Sequence, residues 1–376
     1  MEESTKLPVT QPKKKKLTKI VFYIMSILLL STTGMCAFMT YKLITGPSTC
    51  KNQCNATAST EPATDAGSNN TIADGYSLIS DEELAKLKDE AYYLGRDNIL
   101  SSIKPMMENG TTTLRMLRAI YPEHLVYADA GQYIFKDINN DLIMNDYDKA
   151  GFKIEKAEND IPTKVEYYED DKLVSYTGID VSKHNGNIDW SKVSKSGIDF
   201  AILRAVVRGY GAEGKLLKDD SFEKNAKAAT ENGVTVGAYV FSEAITVEEA
   251  IEEAELVLSM VAPYNIKGPI VIDIEDIENE TGRNENLSPK ELTDVVLAFC
   301  NKIKEAGYTP MIYCNLKGFI GMLEFERLEG IEKWYAYYGD ELYFPYEVSI
   351  WQYSSSGKID GISGSVDLNV SFKKYE

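Results

Sequence analysis

TGIDVSKHNG, residues 177–186, is a short apolar, β-branched run that meets an acidic residue, Asp180, and it opens a change of pattern that lasts to the C-terminus. Strand-like and helix-like segments alternate from here on. IDWSKVSKSG (188–197) precedes the strand-like FAILRAV (200–206). SFEKNAKAATENG (221–233) reads as a helix stopped by Gly233, and VTVGAYVF (234–241) as a strand. The helical VEEAIEEAELVLSMV (247–261) leads to the strand PIVIDIE (269–275). SPKELTDVVLAFCNKIKEAG (288–307) carries a full set of helix signals: Ser288 as N-cap, Pro289 in the first turn and Gly307 at the stop. TPMIYCN, KWYAYY and VSIWQYS follow as strands with little helix between the last of them. Repeated strand–helix units over this span predict an α/β fold, a TIM-like (β/α) barrel that is irregular at its end. A doubly wound sheet is the rival, but no glycine-rich phosphate fingerprint follows the first strand.

Four acidic residues stand at apolar runs of this half: Asp180, Asp273 and Glu275 in PIVIDIEDIE, and Asp367 in GSVDLNVS. Asp273 and Glu275 are two apart, so on a strand they share a face. Asp180 is on the first strand of the repeat and Asp367 on or after the last. Closure of a barrel makes those strands neighbours and gathers the four carboxylates at the C-terminal ends of strands, the working face of such barrels. A carboxylic acid held neutral by a like-charged neighbour and apolar walls can protonate a leaving oxygen, while a second carboxylate stabilises positive charge at an anomeric carbon or attacks it. This points to acid–base work on a sugar bond, with Glu275, the longer side chain, moving the proton. The bland alternative is that such acids pair with a base for stability, and Arg204 at the end of FAILRA is one such partner. A Mg²⁺ or Ca²⁺ site is a further reading, since hard cations take oxygen ligands. With two His in the chain a zinc site is not expected, and His184 reads as a rim residue. Trp and Tyr residues crowd between Trp334 and Tyr353. Tyr239, Tyr313, Tyr337 and Trp351, with Arg204, are the candidates for sugar contact.

The 376-residue chain is too long for one average domain. Residues 1–19 form a basic tail containing Lys13–Lys16, and the 22 residues 20–41 carry no charge, enough for a transmembrane anchor. The lysines ahead of it predict a cytoplasmic N-terminus and an exported remainder, a single-pass protein of a Gram-positive-type envelope. A cleaved signal peptide fits less well, because its apolar core is usually about 7–15 residues. Net charge is −18 overall, and the seven Lys and two Glu of residues 1–45 leave −23 for the rest. So acidic an exported portion is a poor candidate for nucleic-acid binding, which wants a basic patch. Residues 42–76, rich in small polar residues, read as a flexible stalk. Of five cysteines, Cys50 and Cys54 sit outside the span and are placed to bridge locally or between two chains; Cys300 and Cys314 read as buried thiols.

Residues 77–170 read as a small α+β module without a catalytic constellation. Ser80 and Glu83 form a capping-box pattern, with Leu84, Leu87, Ala91 and Leu94 at helical spacing. That stripe over 80–107 faces a core or, alternatively, pairs two chains. A second helix is expected from Thr113 to before Pro122, then strands at 125–128, 133–138 and 164–169. The barrel domain is placed at 171–376.

GIDVSKHNGNIDW, FAILRAVVRGYG, VIDIEDIE, AGYTPMIYCN, WYAYY and IWQYSSSGKIDGISGSVDLNVS, in that order, resemble glycoside hydrolase family 25, the N-acetylmuramidases or Chalaropsis-type lysozymes, over residues 177–376. The resemblance implies hydrolysis of the β-1,4 bond between N-acetylmuramic acid and N-acetylglucosamine in peptidoglycan, without a cofactor. It places the family's D-x-E pair on Asp273 and Glu275, with Glu275 as general acid/base, its N-terminal Asp on Asp180 and its C-terminal Asp on Asp367. It also implies assistance by the substrate's 2-acetamido group, oriented by Asp273. Many members carry His where this chain has Val240, a position expected to line a subsite. The implied partners are peptidoglycan, the membrane and, with a tether, a cell-envelope assembly. A non-hydrolytic wall-binding scaffold, its cleft blocked by residues 77–170, is the competing class, and a chitinase-like hydrolase a third.

Overall fold

The computed structural model describes residues 79–157, 161–276 and 282–376. The expected anchor, the stalk, Cys36, Cys50 and Cys54 lie outside the described residues. Among the described residues no helix is long and apolar enough to cross a membrane. The chain divides into two compact units between Met116 and Leu117. In the first, helix α1 (Asp81–Glu108) starts where expected: the Ser80 side chain accepts the Glu83 N–H at 3.1 Å, and Asp81, Glu82 and Glu83 fill the first turn. Acidic groups there oppose the positive end of the helix dipole. Helix α2 (Thr113–Ile120) stops ahead of Pro122, as the sequence predicts.

Two small sheets follow. Strands β1 (His124–Asp129) and β2 (Gln132–Asp137) form a hairpin, and β3 (Phe152–Lys156), β4 (Pro162–Glu169) and β5 (Lys172–Leu173) form a three-stranded sheet. The expectation of a separate 77–170 module is corrected here. Residues from Leu117 onward belong to one unit with the barrel. Leu125, Tyr127 and Val165 are buried in the same core as the barrel's outward-facing residues, so these strands have no core of their own.

The barrel is built from β6 (Tyr176–Val181), β7 (Phe200–Arg208), β9 (Thr235–Phe241), β10 (Ile270–Asp273), β11 (Pro310–Asn315), β12 (Glu332–Ala336), β13 (Ile350–Gly357) and β14 (Val366–Ser371). Strand β8 (Leu216–Lys218) pairs only with β7. Parallel pairing of β6 with β7 and antiparallel pairing of β14 with β6 close the barrel. Seven strands run parallel and β14 alone runs against both neighbours. Helices α3 (Trp190–Lys195), α4 (Phe222–Glu231), α5 (Val247–Val261) and α6 (Pro289–Glu305) cover the early strands. Helix α6 has the complete capping box of Ser288 and Glu291, with Pro289 at its start, and Gly307 follows in the left-handed region (φ 84°).

No such helix separates β12 from β13 or β13 from β14. The three-stranded sheet covers that flank instead, with β4 packed on β13, β14 and β6. Phe152 lies edge-on to Trp351 at 6.1 Å, and Tyr147 donates from its hydroxyl to the Val348 carbonyl at 2.8 Å. A barrel short of helices leaves an apolar flank, and strands β3 and β4 with Tyr147 bury it.

Side chains alternate along each strand. Ile270, Ile272 and Ile274 point outward beneath the helices, while Val271 points inward with Phe200, Ile202, Met311, Trp334 and Ile350. Gly178 leaves room for the Phe200 ring, which would lie 2.2 Å from an added Cβ. Cys300 and Cys314 are free, fully buried thiols whose pKa values burial pushes up, so they are poor nucleophiles.

Candidate active site

The inner polar residues collect at the C-terminal ends of the parallel strands. Asp273 ends β10, and Glu275 lies just beyond it with the strand alternation preserved by outward-facing Ile274. Asp180 on β6 sits directly opposite Asp367 on β14 in the antiparallel register. Asp367 corrects one expectation: it stands near the start of its strand, not the end. Because β14 is reversed, its start reaches the same mouth as the other strands' ends. A cavity of about 170 Å³ is lined by all four acids together with Tyr239, Tyr313, Trp334, Tyr338 and Gln352.

Asp180 is the most firmly held of the four. One of its oxygens, Oδ2, accepts from Gln352 Nε2 and from Asn369 Nδ2, both at 2.8 Å. Each amide is oriented from its other side. Trp334 Nε1 donates to Asn369 Oδ1 at 2.8 Å, and an indole can only donate, so the Asn369 amino group must face Asp180. The hydroxyls of Tyr313 (2.8 Å) and Tyr338 (3.0 Å) donate to Gln352 Oε1, fixing Gln352 in the same sense. Two amides thus carry donor direction from the aromatic wall to a buried carboxylate.

All four acids are pushed above the ordinary carboxylate range, with burial as the leading cause. Asp180 is raised further by the charge of Asp367, and Asp273 by Glu275 and Asp180. Asp367 is pushed up to about 6. Asp273 and Glu275 shift each other's titration, and the charge of Glu275 is the largest cause after burial of the rise at Asp273. The Oδ1 atom of Asp273 is buried without a protein partner. Glu275 is open to solvent at the mouth, yet the surrounding walls exclude enough water to raise its carboxyl. The group best placed to meet an incoming bond is therefore also one that holds its proton more tightly than an ordinary carboxyl.

The candidate sugar contacts separate. Tyr239 and Tyr313 line the acidic cavity, and Tyr337 lines a larger one beside it. Trp351 does not reach either: it is fully buried on the outer side of β13, donates to the Tyr337 carbonyl at 2.8 Å and packs on Phe152. It is a core residue, a correction that follows from the strand's alternation, since Gln352 takes the inward place. Arg204 donates from Nε to Asp219 at 2.8 Å, while its NH2 is buried without a partner. Its charge also holds the Asp273 pKa down against the larger effect of burial. Val240 faces outward into the core at 0% exposure and lines no subsite, correcting that expectation too. His184 is exposed. Among the described residues no group of three or more His, Cys, Asp or Glu is spaced to hold a metal ion.

Gln352, Asn369 and the inward role of Trp334 and Tyr338 were not singled out by sequence. Their signal was the alternation itself: Trp334 and Ala336 share one face of β12, while Tyr335 takes the other.

A barrel with carboxylates clustered at one mouth and aromatic walls has the groups that hydrolysis of a glycosidic bond requires. Over residues 179–362 the chain matches Glycosyl hydrolases family 25. It is similar to the protein YegX of Escherichia coli K12, 34% identical over 218 residues that cover 52% of this chain and 70% of that one. It is also similar to Lysozyme M1 of Streptomyces globisporus, 29% identical over 212 residues, 51% of this chain and 66% of the other. Among solved structures, the bacterial lysozyme from Streptomyces coelicolor aligns with a TM-score of 0.44 and 26% identity, covering 54% of this chain and 92% of that one. The chain belongs to glycosyl hydrolase family 25 and is a glycoside hydrolase.

Proposed function

We propose that the protein is a membrane-tethered muramidase that cleaves the β-1,4 bond between N-acetylmuramic acid and N-acetylglucosamine in peptidoglycan. The observation that carries this reading is the convergence of Asp180, Asp273, Glu275 and Asp367 on one aromatic-walled cavity. Similarity to proteins named lysozymes supports the choice of substrate.

In this mechanism Glu275 gives its proton to the glycosidic oxygen as the bond from that oxygen to C1 breaks. The carbonyl oxygen of the substrate's 2-acetamido group closes on C1 and forms an oxazolinium ion. Asp273, with its unpartnered oxygen, accepts the acetamido N–H and offsets the positive charge, while Asp180, held by Gln352 and Asn369, lines the same cavity. Glu275, now a carboxylate, takes a proton from water as that water attacks C1, and the product keeps its anomeric configuration. Strand β4 covers the barrel's flank, and the acidic cavity stands beside a second chamber with room for substrate, which favours a catalytic role over pure binding.

The tether reading rests on the uncharged residues 20–41 after a basic tail. It suits local opening of the wall during growth, division or assembly of an envelope machine. Pairing of two chains through Cys50/Cys54 or the Leu84, Leu87, Ala91, Leu94 stripe belongs to the same reading. The test is product analysis of purified peptidoglycan incubated with the full-length protein. New reducing ends on muramic acid are expected; reducing ends on glucosamine alone, or cleavage of chitin oligomers instead, would overturn it.

A further inference from the structure

The acidic cavity is small. At about 170 Å³ it falls below the roughly 300–1,000 Å³ usual for ligand sites. A second chamber of about 510 Å³ adjoins it, and the two share Glu275, Tyr313 and Tyr338 as walls. One side of this chamber is made by Tyr127 and Ala128 of β1. Both precede residue 179, where the family match begins. The chamber is therefore completed by a piece of chain that the catalytic domain does not contain.

That piece is firmly fixed. Lys317 Nζ bridges Asp129 at the end of β1, at 2.6 Å, and Asp276, the neighbour of Glu275. Arg118 donates to the Val126 carbonyl at 2.9 Å and to the Tyr337 hydroxyl at 2.8 Å, with its guanidinium 4.0 Å from the centre of the Tyr343 ring. The Val126 N–H donates to the Tyr343 hydroxyl at 3.1 Å. Tyr127 lays its hydroxyl over Gly321, where an added Cβ would sit 2.6 Å from it. Of these anchors Lys317, Asp276 and Tyr337 also line the chamber. The chamber offers tyrosine rings, the Asn315 amide and the Lys317 ammonium, a mixture of flat apolar faces and directed polar groups. Those are the contacts a pyranose ring with hydroxyl and acetamido groups uses.

We infer that the β1–β2 hairpin supplies the outer wall of an additional sugar subsite beside the catalytic cavity, so that the enzyme engages a longer stretch of glycan than the two sugars at the cleaved bond. This rests on the proposed muramidase reading for the identity of the sugar. The ligand is a further pyranose of the same strand, stacked against the tyrosine wall.

Ala128 is the residue to change, because it is exposed and small and follows the buried Leu125, Val126 and Tyr127. Ala128→Trp fills the chamber; Ala128→Arg is a second variant should the first misfold; Gln132→Trp, on the exposed start of β2, is the size-matched control. The substrates are peptide-free glycan tetra-, hexa- and octasaccharides of alternating N-acetylglucosamine and N-acetylmuramic acid. For the wild-type full chain kcat/KM should rise at least tenfold with length, and Ala128→Trp should lose that rise while Gln132→Trp keeps it. Equal length dependence in folded Ala128→Trp and wild type would overturn the inference. So would a dependence that appears only when stem peptides are present, which would make the chamber a peptide site. If wild type cleaves none of the strands, the muramidase reading fails separately. Calorimetric titration of the same oligosaccharides into Glu275→Gln, with and without Ala128→Trp, still decides the subsite. A length-dependent affinity lost on filling supports it, and an unchanged affinity overturns it.

Discussion

Replacing Asp367 by Asn should make the protein more stable and less active, with both effects tied to pH. In the folded state burial raises this carboxyl from 3.8 to about 6. At about 1.4 kcal/mol per pKa unit, ionising Asp367 in the fold costs about 3 kcal/mol, an upper figure because the side chain keeps some contact with solvent. The folded chain binds this proton more tightly than the unfolded chain. Stability from this group is therefore full below pH ~4, falls as pH rises towards 6, and is flat above. An Asn at 367 removes the fall. Near pH 7 the variant should gain about 2–3 kcal/mol, or roughly 4–9 °C in Tm for a unit of this size, and near pH 4 it should match wild type. Asp367 also raises Glu275 through its charge. Without it the Glu275 carboxyl should titrate lower, so the alkaline limb of kcat/KM should move to lower pH. Thermal denaturation from pH 4 to 8, paired with a pH–rate profile, reads both. A variant that melts below wild type at pH 7, or a difference in Tm that does not change with pH, would refute the electrostatic account.

Three further outcomes follow from particular contacts. Asn369→Leu leaves the Trp334 N–H without an acceptor and strips one donor from Asp180; stability should fall by about 1–3 kcal/mol, and kcat should drop more than KM changes in steady-state assays. Arg208→Met removes the buried partner of Glu253, a side chain at 0% exposure raised to about 7 by burial, and should cost about 3–5 kcal/mol at pH 8 but less at pH 5, where Glu253 takes up a proton, as denaturant melts at the two pH values would show. Gly178→Ala pushes a methyl group into the Phe200 ring and should cost roughly 1–3 kcal/mol in the same assay, with partial recovery in the double variant with Phe200→Leu.

The barrel and its acids were legible because they depend on local signals. PIVIDIE reads as a buried strand whatever surrounds it, and Ser288, Pro289 and Gly307 bracket a helix by their own chemistry. What escaped was set by pairing across distance. Nothing in GSVDLNVS says that its strand runs backwards, and only that reversal puts Asp367 at its strand's start and still opposite Asp180. Trp351 and Gln352 are adjacent, and which one faces inward depends on register, so an aromatic count chose the wrong residue. Residues 77–170 read as a module of their own because their helices and strands each carry complete local signals. The apolar faces of β3 and β4, however, are matched to a barrel flank that has no helices, and no sequence window contains both partners.

Glu275→Gln tests the central claim most directly. The change keeps the shape of the side chain and removes the proton it can give. Purified peptidoglycan incubated with the wild-type full-length protein should yield new reducing ends on muramic acid, and the variant should yield at least a hundredfold fewer while melting at a similar temperature. Release at the wild-type rate by Glu275→Gln would contradict the assignment of the catalytic acid, and with it the mechanism built on this cluster of carboxylates.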